Sequence, residues 1–235
     1  MGFVLGTYHF AQIEDLPDYV LDALKKAPIF VSERDFNRKV SQPPAADESG
    51  GAKSVGVLSL ETMEKMTARG LPRQSLAKIP RPSLCIAYLF WESYQRLIAS
   101  GGTLDSQLAA LAMAEKKELI GLQAAESAPV KQKAEKSVES ACDIDRLVQR
   151  LSPEQARAIQ QRALENFRSG DLRRITSADS SAIAAVAERN QQWLPVITRA
   201  LDRGAFVAIG AGHLGGRKGI LNLLASEGYI GYQLP

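Results

Sequence analysis

Histidine is almost missing from this chain: two occur in 235 residues. Cysteine is as scarce, with Cys85 and Cys142 far apart and without metal-ligand spacing, so a disulfide scaffold and a cysteine-based zinc site are excluded. Both are expected as unpaired thiols, with Cys85 buried. No apolar run approaches the roughly 20 residues that cross a bilayer, so no membrane span is expected. Nor does one charge dominate. The net charge is +3, and Lys and Arg are scattered rather than striped. Nucleic acid is therefore not an expected partner. No leader is visible, because Met1 runs almost directly into an apolar segment. As given, the sequence suggests a cytoplasmic protein, or an exported one if a leader was removed.

The two histidines occupy matched places. His9 ends Phe3-Val4-Leu5-Gly6-Thr7-Tyr8-His9, and His213 ends Phe206-Val207-Ala208-Ile209-Gly210-Ala211-Gly212-His213. Each stands three residues after a glycine behind an apolar run. The pattern is that of a strand ending in a glycine turn that presents an imidazole, the side chain suited to metal ligation and to proton transfer near neutral pH. Gly6, Gly210 and Gly212 are expected to permit tight turns and close backbone approach to a ligand, and Thr7 is expected among the binding residues with them.

Between these ends the hydrophobic fraction of 45% supplies a real core. Strands are expected over 2–10, 29–32, 118–123, 205–209 and 229–234. Helices are expected over 14–27, 62–69, 73–79, 83–100, 103–115, 129–151, from Ser152-Pro153 onward, over 178–203 with a kink near Pro195, and over 218–226. Residues 36–54 are Pro/Gly/Ser-rich and predict a loop. The 83–100 helix is apolar nearly all round, so Trp91 and Tyr94 are expected in the core. The fold class that follows is α/β: a mixed central sheet with strand–helix–strand units from both termini and an inserted helical layer over about 60–175. Residues 1–235 are taken as one domain.

If both terminal units are right-handed, both histidines lie at strand carboxyl ends, the edge where open α/β sheets bind ligands. Glu33, after the second strand, lies there too. Two imidazoles and a carboxylate are a plausible shell for a catalytic divalent metal, or a general base with two electrostatic partners. Gly210-Ala211-Gly212-His213-Leu214-Gly215 also satisfies Gly-x-Gly-x-x-Gly. The strand expected after it carries no acid for a ribose, so a dinucleotide site is rejected.

Gly6-Thr7-Tyr8-His9, Glu33, Ile120-Gly121-Leu122, Arg189-Asn190 with Trp193, and the 207–214 segment with Gly216 and Gly219 resemble the TraB/PrgY/GumN family. That family is related to the Tiki proteases and, more remotely, to erythromycin-esterase and ChaN-like folds. The resemblance spans residues 3 to 232. It implies an α/β fold with helical insertions and, in the Tiki branch, metal-dependent proteolysis. The implied site is His9, Glu33 and His213, with a divalent Mn, Co or Zn ion and a peptide or small-molecule substrate, and with Arg189 and Asn190 nearby. One position departs. The family strand typically reads Gly-Leu-Glu-Thr, whereas here Gly121-Leu122-Gln123-Ala124 stands. Gln123 cannot be an anionic ligand or base. Glu126 is a candidate to compensate. The departure keeps a second reading open: a weakened or non-enzymatic binder of a peptide or small ligand that regulates conjugation or pheromone response.

Overall fold

The computed structural model describes residues 1–36, 58–76, 79, 81–125, 143–171 and 180–233. Four strands form one sheet: β1 (Phe3–Thr7), β2 (Ile29–Ser32), β3 (Glu118–Gly121) and β4 (Phe206–Gly210). Their order is β1-β4-β2-β3, and every pairing is parallel. The expected mixed sheet is thus all parallel. Strand buried on both faces suits that outcome, and β2 and the first four residues of β4 are buried throughout.

Alternation assigns the two faces. Phe30, Phe206 and Ala208 pack on one side with Leu24 of α1 (Asp18–Lys26) and Leu104, Leu108 and Ala112 of α5 (Leu104–Ala114). Ile29, Val31, Val207 and Ile209 face the other side. There they meet Trp193 and Ile197 of α8 (Ser180–Asp202) and Ile220 and Leu224 of α9 (Ile220–Ser226). α8 runs through Pro195 as one element.

The inserted helices build a core of their own. These are α2 (Leu60–Ala68), α3 (Arg73–Leu76), α4 (Arg81–Ala99), α6 (Ile144–Arg150) and α7 (Pro153–Arg168). Met66, Leu84, Tyr88, Ile144 and Val148 are buried together there. Ser152 caps α7 with Pro153 in its first turn, as the sequence predicts. α4 breaks at Phe90, whose φ of −124° and ψ of 29° are not helical. The buried Arg69 guanidinium donates to the carbonyls of Tyr88 and Leu89 beside the break, and also to Gln160 and Glu92. It satisfies acceptors that an interrupted ladder leaves exposed.

Several expectations change. No strand forms over 229–233 among the described residues, so the C-terminal unit ends in α9 and the matched plan of the two termini stops there. The expected 14–27 helix is a short 3₁₀ turn (Ile13–Asp15) followed by α1, with Pro17 as the N-cap. The extended pre-helical backbone of Pro17 suits that place, and its missing N–H is one a helix start leaves unpaired. Cys85 is buried at 3% exposure but disulfide-bonded rather than free. Cys142, the other cysteine, lies outside the described residues. So do most of the 36–54 loop, residues 129–142 and Glu126. Tyr94 is 46% exposed, not core, because α4 turns that face toward a cleft. No helix among the described residues is long and apolar enough to cross a membrane.

Candidate functional site

A parallel sheet sends all its carboxyl ends to one edge, and each strand here delivers a candidate residue there. His9 follows β1, Glu33 follows β2, Gln123 follows β3 and His213 follows β4. The order matters as much as the edge. β4 lies between β1 and β2, with Thr7 opposite Gly210 and Ser32 opposite Ala208. The last strand of the chain therefore inserts His213 between the turns that carry His9 and Glu33.

The packing at this edge requires two of the glycines. A Cβ on Gly6 would stand 2.8 Å from Leu214 and 3.1 Å from Ala211. A Cβ on Gly210 would stand 3.0 Å from Glu33 Oε1. That oxygen accepts the Gly210 N–H at 2.7 Å, so the missing side chain lets the carboxylate seat on backbone. Gly212 has open space around its Cβ position. Close packing within the protein thus requires glycine at Gly6 and Gly210, while Gly212 is not constrained in this way.

His213 is 7% exposed and held on three sides. Asn190 Nδ2 donates to the carbonyls of His213 and Lys218, at 3.1 and 2.9 Å. Those bonds fix the amide orientation, so Oδ1 faces His213 Nδ1 at 2.6 Å and accepts its proton. The Nε2 lone pair is left toward Glu33 Oε1, 3.8 Å away. Trp193 lies against the ring, 4.5 Å between centroids, and Arg189 sits 4.6 Å over the Trp193 face and 4.0 Å from Glu33 Oε2. Burial pushes the His213 pKa down to about 3, with help from the positive charges of Arg189 and His9. His213 is a neutral imidazole at physiological pH.

His9 is tuned the other way. Its Nδ1 lies 2.7 Å from Asp105 Oδ2, while the Thr7 hydroxyl donates to Asp105 Oδ1 at 2.7 Å. The Asp105 hydrogen bond raises the His9 pKa and outweighs desolvation, the ring being 61% exposed. Burial alone would raise the Asp105 carboxyl. Hydrogen bonds from His9 and Thr7 hold it below the usual range instead. Thr7 is thus a support for Asp105, not a ligand-facing residue.

Asp105 was not legible as a site residue. Thr103-Leu104-Asp105 suggests only a helix cap, and Thr103 does cap α5 through its side chain. The available signal was an acid in the first turn of an otherwise largely apolar helix, a place where burial demands a partner.

His9, Glu33, Asp105, Gln123 and Arg189 line one cleft of about 480 Å³. The Gln123 backbone N–H donates to the Glu33 carbonyl at 2.8 Å, which ties β3's end to the site. Among the described residues, no group of three or more His, Cys, Asp or Glu side chains is drawn together closely enough to hold a metal ion as it stands. In donor chemistry the residues fit one. Both imidazoles commit Nδ1 to a fixed acceptor and keep Nε2, the arrangement that orients metal-binding histidines. The 3.8 Å between His213 Nε2 and Glu33 Oε1 is near the ~3.3 Å edge of a tetrahedral site with ~2 Å bonds.

Asp105→Asn should return the His9 pKa toward its ordinary value, since an amide cannot stabilise the imidazolium as a carboxylate does. The chain has only two imidazoles, so an NMR titration of metal-free protein reads both directly. His213 is expected to stay silent above about pH 5. An unmoved His9 titration would refute the Asp105 contact.

The TraB/PrgY/gumN family model matches residues 2–230, and the chain belongs to that family. No curated protein and no solved structure matches it.

Proposed function

We propose that this member of the TraB/PrgY/gumN family is a metal-dependent hydrolase acting on peptides, with His9, His213 and Glu33 as its working groups. One observation carries the reading. Two histidines from opposite ends of the chain each have Nδ1 locked by a partner, Asp105 or Asn190, which leaves Nε2 uncommitted on both; His213 Nε2 lies 3.8 Å from Glu33 Oε1, and His9 lines the same cleft as Glu33. A bound divalent cation (Mn²⁺, Co²⁺ or Zn²⁺) supplies Lewis-acid polarisation and acidified water.

The chain's own residues do the rest. Buried His213 stays neutral and able to donate its lone pair across a wide pH range. Glu33 Oε1 is pinned by the Gly210 N–H, which leaves Oε2 on the cleft side to receive a proton from water. Arg189, braced on Trp193, places a positive charge where an oxyanion develops. His9, open to the cleft and oriented by Asp105, would hold the ion through Nε2 together with His213 and Glu33, and the proton that Glu33 takes from water would pass to the leaving amine.

Calorimetric titration of the apo protein with Mn²⁺, Co²⁺ and Zn²⁺ tests this. One site is expected in wild type, weakened about 100-fold or more in both His9→Ala and His213→Ala with the fold retained. A wild type that takes up none of the three ions overturns the metal reading.

Gln123 favours a second reading, a ligand-binding regulator with eroded activity. It lines the cleft where the family typically has glutamate. Under that reading, Gln123→Glu creates peptidase activity that wild type lacks.

A further inference from the structure

The hydrolase reading accounts for one wall of the cleft and leaves the other unused. That wall is a single face of α4: Ser83, Ile86, Ala87, Trp91, Tyr94 and Leu97. Ser83, Ile86 and Ala87 share one side of the helix before the break at Phe90, and Trp91, Tyr94 and Leu97 share one side after it, so both halves of α4 face the cavity. Ile86 is 47% and Tyr94 46% exposed, although large apolar side chains usually find cover. Trp91 stacks on Tyr94 with ring centroids 5.8 Å apart, so the surface is braced. Arg69 fixes the break at Phe90 from behind, holding both halves of α4 in place.

The rest of the lining includes His9, Glu33, Arg34 and Arg189. The cleft is therefore amphipathic: apolar side chains from α4, charged groups from the sheet edge and α8. Among the occupants a hydrolytic site can take, an extended peptide has matching asymmetry. Its side chains alternate direction while its backbone stays polar. A volume of about 480 Å³ falls in the range of small-ligand sites and accommodates a few residues.

We infer that α4 forms a subsite for an aliphatic or aromatic side chain of a peptide, held next to the bond that faces His9 and Glu33. The position of that bond rests on the hydrolase reading. The apolar preference rests on α4 alone.

The test uses binding, not turnover. Probes are end-blocked pentapeptides Gly-Gly-X-Gly-Gly with X as Leu, Phe, Asp or Lys, titrated into the full-length Glu33→Gln protein by NMR. Leu and Phe probes are expected to bind about 10- to 100-fold more tightly than Asp, the effect of burying one large apolar side chain. Ile86→Glu should erase the preference, and Tyr94→Ala should reduce it most for Phe. Both positions are exposed, and circular dichroism checks that the fold survives. Equal binding of all four probes, or a preference that Ile86→Glu leaves unchanged, overturns the inference. Binding of N-acetyl-leucinamide as tight as that of the Leu pentapeptide overturns the assignment to a peptide. The hydrolase reading fails separately: a wild type that binds Leu and Phe probes selectively yet takes up no metal and cleaves nothing keeps the subsite and loses the reaction.

Discussion

Glu33→Gln should lower peptide hydrolysis by the metal-loaded protein about 10³-fold or more, with little change in stability. The substitution keeps size and shape. Its amide oxygen can occupy the Oε1 position and still accept the Gly210 N–H, so the junction of β2 and β4 survives. What disappears is charge and basicity. An amide neither accepts a proton from water at neutral pH nor binds a divalent ion as a carboxylate does. Arg189 also loses its anionic neighbour at 4.0 Å. General-base catalysis alone contributes about 10²- to 10⁴-fold. Losing an anionic donor beside His213 Nε2 adds to it. Mass spectrometry of a mixed peptide pool reads the activity, and a thermal melt reads the fold. Turnover within about threefold of wild type, in a protein that binds metal normally, would remove Glu33 from the chemistry. Glu33→Asp sharpens the point. It keeps the charge but retracts the oxygen by one methylene, away from the Gly210 N–H, so it should recover only part of the loss.

The sheet edge was legible because strand ends leave short-range marks. An apolar run followed by Gly-x-x-His announces both strand and turn, and each mark needs only a few residues of context. Glu33 followed from the same logic, since an acid directly after a fully buried strand has one edge to occupy. The sequence could not say that β4 would enter between β1 and β2. Strand order is decided by which faces cover which, and Trp193 on α8 and Leu104 on α5 settle that across some 90 residues. The same limit hid Asp105. Its role depends on two residues 96 and 98 positions away, so nothing local distinguishes it from a cap. Tyr94 failed for a related reason. Periodicity shows that α4 is apolar nearly all round, but not which face a cleft will leave uncovered. The expected last strand is absent over 229–233 because nothing covers that run: Ile230 is 81% and Tyr232 86% exposed, so pairing there would bury little apolar surface.

Asn190→Leu should destabilise the protein by about 3–5 kcal/mol and weaken metal binding about 10- to 100-fold. The side chain is 1% exposed and makes three hydrogen bonds, to the His213 ring, the His213 carbonyl and the Lys218 carbonyl. Leucine is similar in size and fills the space, so the cost is not a cavity. It is the set of polar groups left unpaired, each costing about 1–3 kcal/mol when buried. For a chain of this length the melting temperature should fall by roughly 10 °C. The metal effect has a different origin. Without the Asn190 acceptor, nothing dictates that Nδ1 carries the proton, and Nε2 is no longer held toward Glu33. A double-mutant cycle separates the two. In a His213→Leu background the ring bond is already gone, so Asn190→Leu should cost about 1–2 kcal/mol less than it does in wild type. The residual cost is the clamp on the two carbonyls, which holds the turn between β4 and α9 whatever side chain stands at 213. Strict additivity of the two substitutions would mean that the 2.6 Å contact between Asn190 and His213 contributes nothing, and the orientation of Nε2 would then need another cause.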